Sequence, residues 1–152
     1  MKRWLPTISL VIVTGIIVYL MVYIDVRSRA KQAYLEGEKY WTWAEQPELK
    51  KKALEEKFIK EKLKLDRQLQ KGKITKVDYE KKIEILKYEQ ERELEESAIK
   101  YAYYWYQTAV ELFSPPETKW VRLAREKMYT AKEKWKNELR QKGIPFEDYM
   151  IE

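Results

Sequence analysis

LPTISLVIVTGIIVYLMVYI, residues 5–24, is the stretch that decides how this chain is organised. It runs for 20 residues without a charge. At about 1.5 Å per residue, an α-helix of that length matches the roughly 30 Å hydrocarbon core of a bilayer. Pro6 falls in the first turn, where a missing N–H costs nothing. Trp4 at one end, and Tyr19 and Tyr23 at the other, suit the headgroup boundaries. Thr14 and Gly15 leave a small spot where a neighbouring helix can approach closely. Asp25, Arg27 and Arg29 close the run.

The same features fit two fates, a retained single-pass anchor or a cleaved signal peptide. Met1-Lys2-Arg3 suits a signal sequence. The apolar run, however, exceeds the usual h-region and no small-x-small cleavage site follows it, which favours the anchor. Orientation is finely balanced. Lys2 and Arg3 precede the span; Arg27, Arg29, Lys31 and Lys39 follow, diluted by Asp25, Glu36 and Glu38. Counting Lys and Arg alone favours a cytoplasmic C-terminal part. A short basic tail ahead of an apolar span favours the N-terminus inside and the bulk outside, so an extracytoplasmic placement is expected.

Outside the span, composition narrows the function. The 152 residues hold 37% charged side chains, and only four Gly and five Pro, so elements are long and turns few. Lys, Glu, Leu and Ala lose little rotamer freedom in helices, which predicts an all-α chain. There is no Cys and no His, so thiol nucleophiles, disulfides and the usual zinc and haem ligands are excluded, together with the commonest general base. Metal and cofactor sites are not expected. The net charge of +6 is spread among interleaved acids, a salt-bridged surface and not a nucleic-acid patch. Abundant Lys and Glu with one Asn, Asn137, also fit a thermophile-like composition.

The breakers divide the chain. Residues 1–24 form a short tail and the span, and residues 25–46 a membrane-proximal helical extension. Gly37 and Pro47 are expected to bracket a bend around Trp41, Trp43 and Glu45. Residues 47–113 read as an antiparallel helical hairpin, with Pro47 in the first turn of a helix reaching Lys71. Gly72 suits its end, while Thr75 and Asp78 suit a capping box for a helix from Lys76 to Phe113. Residues 114–152 hold a last helix and a tail. Ser114 is its expected N-cap, with Pro115 first, Glu117 third, and Gly143 as its stop. The tail from Phe146 is expected to be extended.

The segment Leu65–Leu86 resembles the SHOCT-type short helical hairpin found at the ends of many bacterial proteins. Leu65, Leu69, Gly72, Ile74, Thr75, Tyr79, Lys82 and Leu86 carry the resemblance, over about a seventh of the chain. It implies oligomerisation or interaction and no catalytic residue.

The most unusual cluster is Tyr101, Tyr103, Tyr104, Trp105 and Tyr106, which wrap a helix on all sides. Part of it is expected to build a junction core with Tyr34, Tyr40, Trp41 and Trp43, or with Trp120 and Trp135. The rest would form a docking face, where Tyr and Trp are favoured anchors, or contact lipid headgroups. The pairs Glu55-Glu56 and Glu95-Glu96 do not face each other on a helix and read as solvated surface. Catalytic residues are therefore not expected.

The expected function is a non-catalytic accessory subunit of a multi-subunit membrane complex, such as a respiratory or other energy-converting one. Its expected partners are other membrane subunits and the bilayer. A homo-oligomeric, membrane-anchored coiled-coil scaffold is the alternative. In outline the chain is similar to the peripheral-stalk b subunit of rotary ATP synthases. It departs from that pattern in its Trp and Tyr content and in the breaks at Gly72 and Pro115-Pro116, where a stalk needs one long helix.

Overall fold

A computed structural model describes residues 4–147 and residue 151. Among these residues the chain is all-helical: α1 (Leu5–Glu45), α2 (Pro47–Gln70), α3 (Lys76–Glu95), α4 (Ala98–Glu111) and α5 (Lys119–Gln141). The basic tail Lys2-Arg3 lies outside the described residues, and the tail after Phe146 is described only at Glu147 and Ile151. The chain divides into two compact units, Met1–Lys39 with Ile99–Glu152, and Tyr40–Ala98.

In the first unit, three helices meet through small residues. Ala30, Ala33 and Gly37 fall at i, i+3 and i+7 on α1 and are buried. Ala102, Tyr106 and Ala109 fall at i, i+4 and i+7 on α4, and Val121, Ala124, Ala131 and Trp135 line α5. Alanine and glycine let helix axes come close, so the bulk of the core comes from a few aromatic rings placed between them.

The second unit pairs α2 with α3. The links run in reverse chain order: Tyr79 Oη donates to Asp66 at 2.6 Å, Lys57 Nζ to Glu93 at 2.6 Å, and Lys50 Nζ to the Leu94 and Glu96 carbonyls at 2.9 and 2.6 Å. Among the less exposed residues, with Lys50, Ala53, Asp66 and Leu69 beside them on α2, are Leu54, Phe58, Glu61, Leu65 and Gln68 of α2, and Tyr79, Ile83, Leu86, Gln90 and Glu93 of α3. Their alternating spacing of three and four is that of a coiled-coil seam. Four of these ten positions are Glu or Gln, which weakens the seam. At the turn, Gly72 has φ +64°, and the Lys73 N–H reaches back to the Gln68 carbonyl at 2.9 Å. Thr75 then caps α3: its Oγ1 accepts from the Asp78 N–H at 3.1 Å, and Asp78 accepts from the Thr75 N–H at 3.4 Å.

Three boundaries differ from expectation. The first is the bend, which does not occur around Trp41 and Trp43: α1 continues through Gly37 to Glu45, and the break is Gln46 alone, at φ −132° and ψ 81°. The residue before a proline is disfavoured from the α region, which places the break against Pro47. The second is the expected helix Lys76–Phe113, which is interrupted where Glu96 turns extended at φ −62° and ψ 140°. No glycine or proline marks that point. What satisfies the freed carbonyls there is the buried Lys50 ammonium. The third is the start of α5, which is Lys119 with Thr118 as N-cap and not Ser114. Pro116 disfavours helical backbone at Pro115, which opposes a helix start there. Glu117 instead pairs with Arg125. The end of α5 is a Gly143 turn at φ +66°, with the Ile144 N–H on the Leu139 carbonyl at 3.0 Å.

Candidate functional site

The apolar half of α1 is a helix long and apolar enough to cross a membrane, lying near the N-terminus as a signal sequence also would. From Ile8 to Ile24 its large side chains stand exposed, with Tyr23 half-buried. Thr14 turns its hydroxyl onto the Leu10 carbonyl at 2.9 Å, so this polar group makes its hydrogen bond within the helix. Nothing lies within 4 Å of a side chain added at Gly15. Trp4 and Tyr19 are exposed at the two ends. Beyond the apolar run, Asp25 pairs with Arg29 at 2.7 Å.

Past Ala30, the same helix enters an aromatic and ionic junction. Tyr34 lies between the rings of Tyr106, at 6.0 Å, and Trp120, at 5.6 Å. Tyr106 is fully buried, and its hydroxyl donates to Glu38 at 2.5 Å. Lys127 Nζ donates to both Glu38 oxygens at 2.6 Å. One carboxylate on α1 thus ties α4 and α5 together. Burial, followed by the neighbouring Glu38 and Glu126 carboxylates, pushes the Tyr34 phenol above its ordinary pKa, so it stays neutral. The ammonium groups of Lys31 and Lys119 each stand 5.6 Å from the Trp120 ring centre.

A second ring group closes the far part of this unit. Tyr103 and Tyr104 meet Trp135 at 5.8 and 5.6 Å, and the buried Tyr103 hydroxyl donates to the Ile151 carbonyl at 3.1 Å. Tyr101 and Trp105 are half-buried. In the other unit, Tyr40 and Trp43 meet edge-on at 5.1 Å, and Trp41 is half-buried. The aromatic run is therefore divided: Tyr103 and Tyr106 are core, and Tyr104 keeps one face in solvent.

Three participants carry little signal in the sequence. Glu38, Lys127 and Lys50 look like ordinary members of a charged surface, since only the tertiary arrangement gives each its partner. Gly37 has a signal, an isolated glycine within a helical pattern, but it serves close approach and not a bend.

Chemically, the junction is the Glu38–Lys127 ion pair with the Tyr106 hydroxyl on the same carboxylate, an arrangement that fixes helices. Among the described residues, no cluster of three or more acidic side chains is placed to hold a metal ion. No family model, curated protein or solved structure matches the chain.

Proposed function

We propose that the chain is a single-pass, non-catalytic accessory subunit of a membrane protein complex, held by the apolar half of α1 and bracing partner subunits with its helical part. The observation that carries this reading is the double character of α1. One continuous helix is exposed and uncharged over a bilayer's thickness, then buried through Ala30, Ala33 and Gly37 in a folded core. The apolar run is longer than the usual h-region and no small-x-small cleavage site follows it, which favours a retained anchor over a leader peptide.

The α2–α3 pair, an antiparallel hairpin on this reading, supplies the bracing surface. Ile59 and Leu63 on α2, and Val77, Ile85 and Tyr88 on α3, lie off the seam and are exposed. A two-helix pair with a half-polar seam gains little stability alone, so covering this second stripe is worth more than its area suggests. The same stripe favours the rival reading, self-association into a membrane-anchored scaffold; the SHOCT-like resemblance points the same way.

The deciding experiment is gentle solubilisation from the native membrane through a C-terminal tag. A stoichiometric set of larger membrane subunits supports the accessory role. Recovery as a discrete homo-oligomer overturns it in favour of the scaffold.

A further inference from the structure

Between α4 and α5 runs the segment Leu112-Phe113-Ser114-Pro115-Pro116, which carries no charge. Its first residue, Leu112, is 71% exposed. Pro115 and Pro116 line a groove of about 300 Å³ whose other wall is Tyr19, Val22, Tyr23 and Val26 of α1. Tyr19 lies five residues inside the end of the apolar run and Val26 two beyond it. At about 1.5 Å per residue, the α1 wall facing Pro115 and Pro116 therefore runs from roughly 8 Å inside that end to roughly 3 Å outside it.

We propose that this loop is a second membrane-inserted element, a wedge at the headgroup–acyl boundary whose groove against α1 takes a lipid acyl chain of the same leaflet. The inference rests on the reading of α1 as a membrane span. The groove is continuous with the exposed apolar surface of α1, so whatever covers Tyr19 and Val22 also reaches Pro115. Backbone N–H groups are costly in hydrocarbon, and two prolines remove two of the five donors in the segment. Charge complements the position. Just beyond, Lys31 and Lys119 flank the Trp120 ring, an amphipathic side chain suited to the interface. The nearby acids Asp25 and Glu117 are paired with Arg29 and Arg125.

The chain lacks cysteine, so single introduced thiols can be spin-labelled without background. The full chain, reconstituted alone into phosphatidylcholine–phosphatidylglycerol vesicles, is labelled at Leu112→Cys, Val13→Cys or Tyr129→Cys. Relaxation by oxygen is compared with relaxation by a water-soluble nickel chelate. The expected oxygen-to-nickel ratio at residue 112 is several-fold above that at residue 129 and below that at residue 13. A water-like ratio at 112, or low access to both reagents, with a lipid-like ratio at 13, overturns the wedge and leaves the span standing. A water-like ratio at 13 overturns the span itself, and the wedge with it.

Discussion

The Tyr106 ring lies against the bare backbone of Gly37. A Cβ placed at residue 37 would stand 2.5 Å from Tyr106 Cε1 and 2.7 Å from Cδ1. Tyr106 has no room to withdraw, being fully buried and tied to Glu38. Alanine in place of glycine favours a helix by about 0.5–1 kcal/mol, but overpacking a tight core costs about 1–3 kcal/mol. Gly37→Ala is therefore expected to destabilise by about 1–2 kcal/mol and to lower the thermal midpoint in detergent by several degrees, followed by circular dichroism. Gly15→Ala meets open space and should leave the midpoint unchanged or slightly raised.

Lys50 is 8% exposed, and its ammonium holds the Leu94 and Glu96 carbonyls where α3 ends. A cation there also opposes the negative end of the helix dipole. Lys50→Met keeps the side chain's length and apolar stem but leaves those carbonyls without this donor, at a cost of about 1–3 kcal/mol. A clear fall in the denaturant midpoint is expected for Lys50→Met and none for the exposed neighbour Lys51→Met. Equal midpoints for the two variants would mean that the α3–α4 break does not depend on this cap.

Both residues show where the sequence is readable. Local signals were legible: the uncharged run to Ile24, Gly72 with Thr75 and Asp78, and Gly143 each act through backbone chemistry within a few residues. The helical class followed from composition. Features that depend on distant partners were not legible. Nothing near Glu96 in the chain announces a break, because its cap comes from Lys50 on another helix. Gly37 suggested a bend because its neighbour Tyr106 is 69 residues away. The start of α5 differs for a local reason: the bar that Pro116 sets on helical backbone at Pro115 overrides the capping-box spacing at Ser114. Of the junction, its aromatic rings could be singled out, but Glu38 and Lys127 could not.

Asp78 gives the α3 start a pH dependence. Its carboxylate accepts from the Thr75 hydroxyl at 2.7 Å and from the Thr75 N–H, which holds its pKa below the ordinary aspartate value; Lys82 adds a smaller push the same way. A lowered folded pKa means stabilisation that is complete above the unfolded value and is lost as pH falls through the folded one. Amide hydrogen exchange in the first turn of α3 should thus stay protected down to about pH 4 and loosen below it. Asp78→Asn should remove most of that acid-side change. A first turn equally protected at the lowest pH would show that Thr75 alone sustains the cap.

The anchor reading makes a quantitative demand on the middle of the span. Val13 and Ile16 are three residues apart on α1, both about half exposed. At the centre of a spanning helix one arginine costs about 2.5–3.5 kcal/mol, and aliphatic residues contribute a few tenths each in the other direction. A run this apolar can absorb one such penalty, but two on one face cannot both reach an interface by extending their side chains. Ile16→Arg is expected to reduce the carbonate-resistant membrane fraction in part, and Val13→Arg with Ile16→Arg to abolish it. Leu63→Arg, at an exposed position of α2 outside the apolar run, should leave that fraction unchanged if the apolar run alone holds the chain in the membrane. Full membrane retention of the double variant would mean that the protein is held there by partners and not by its own helix.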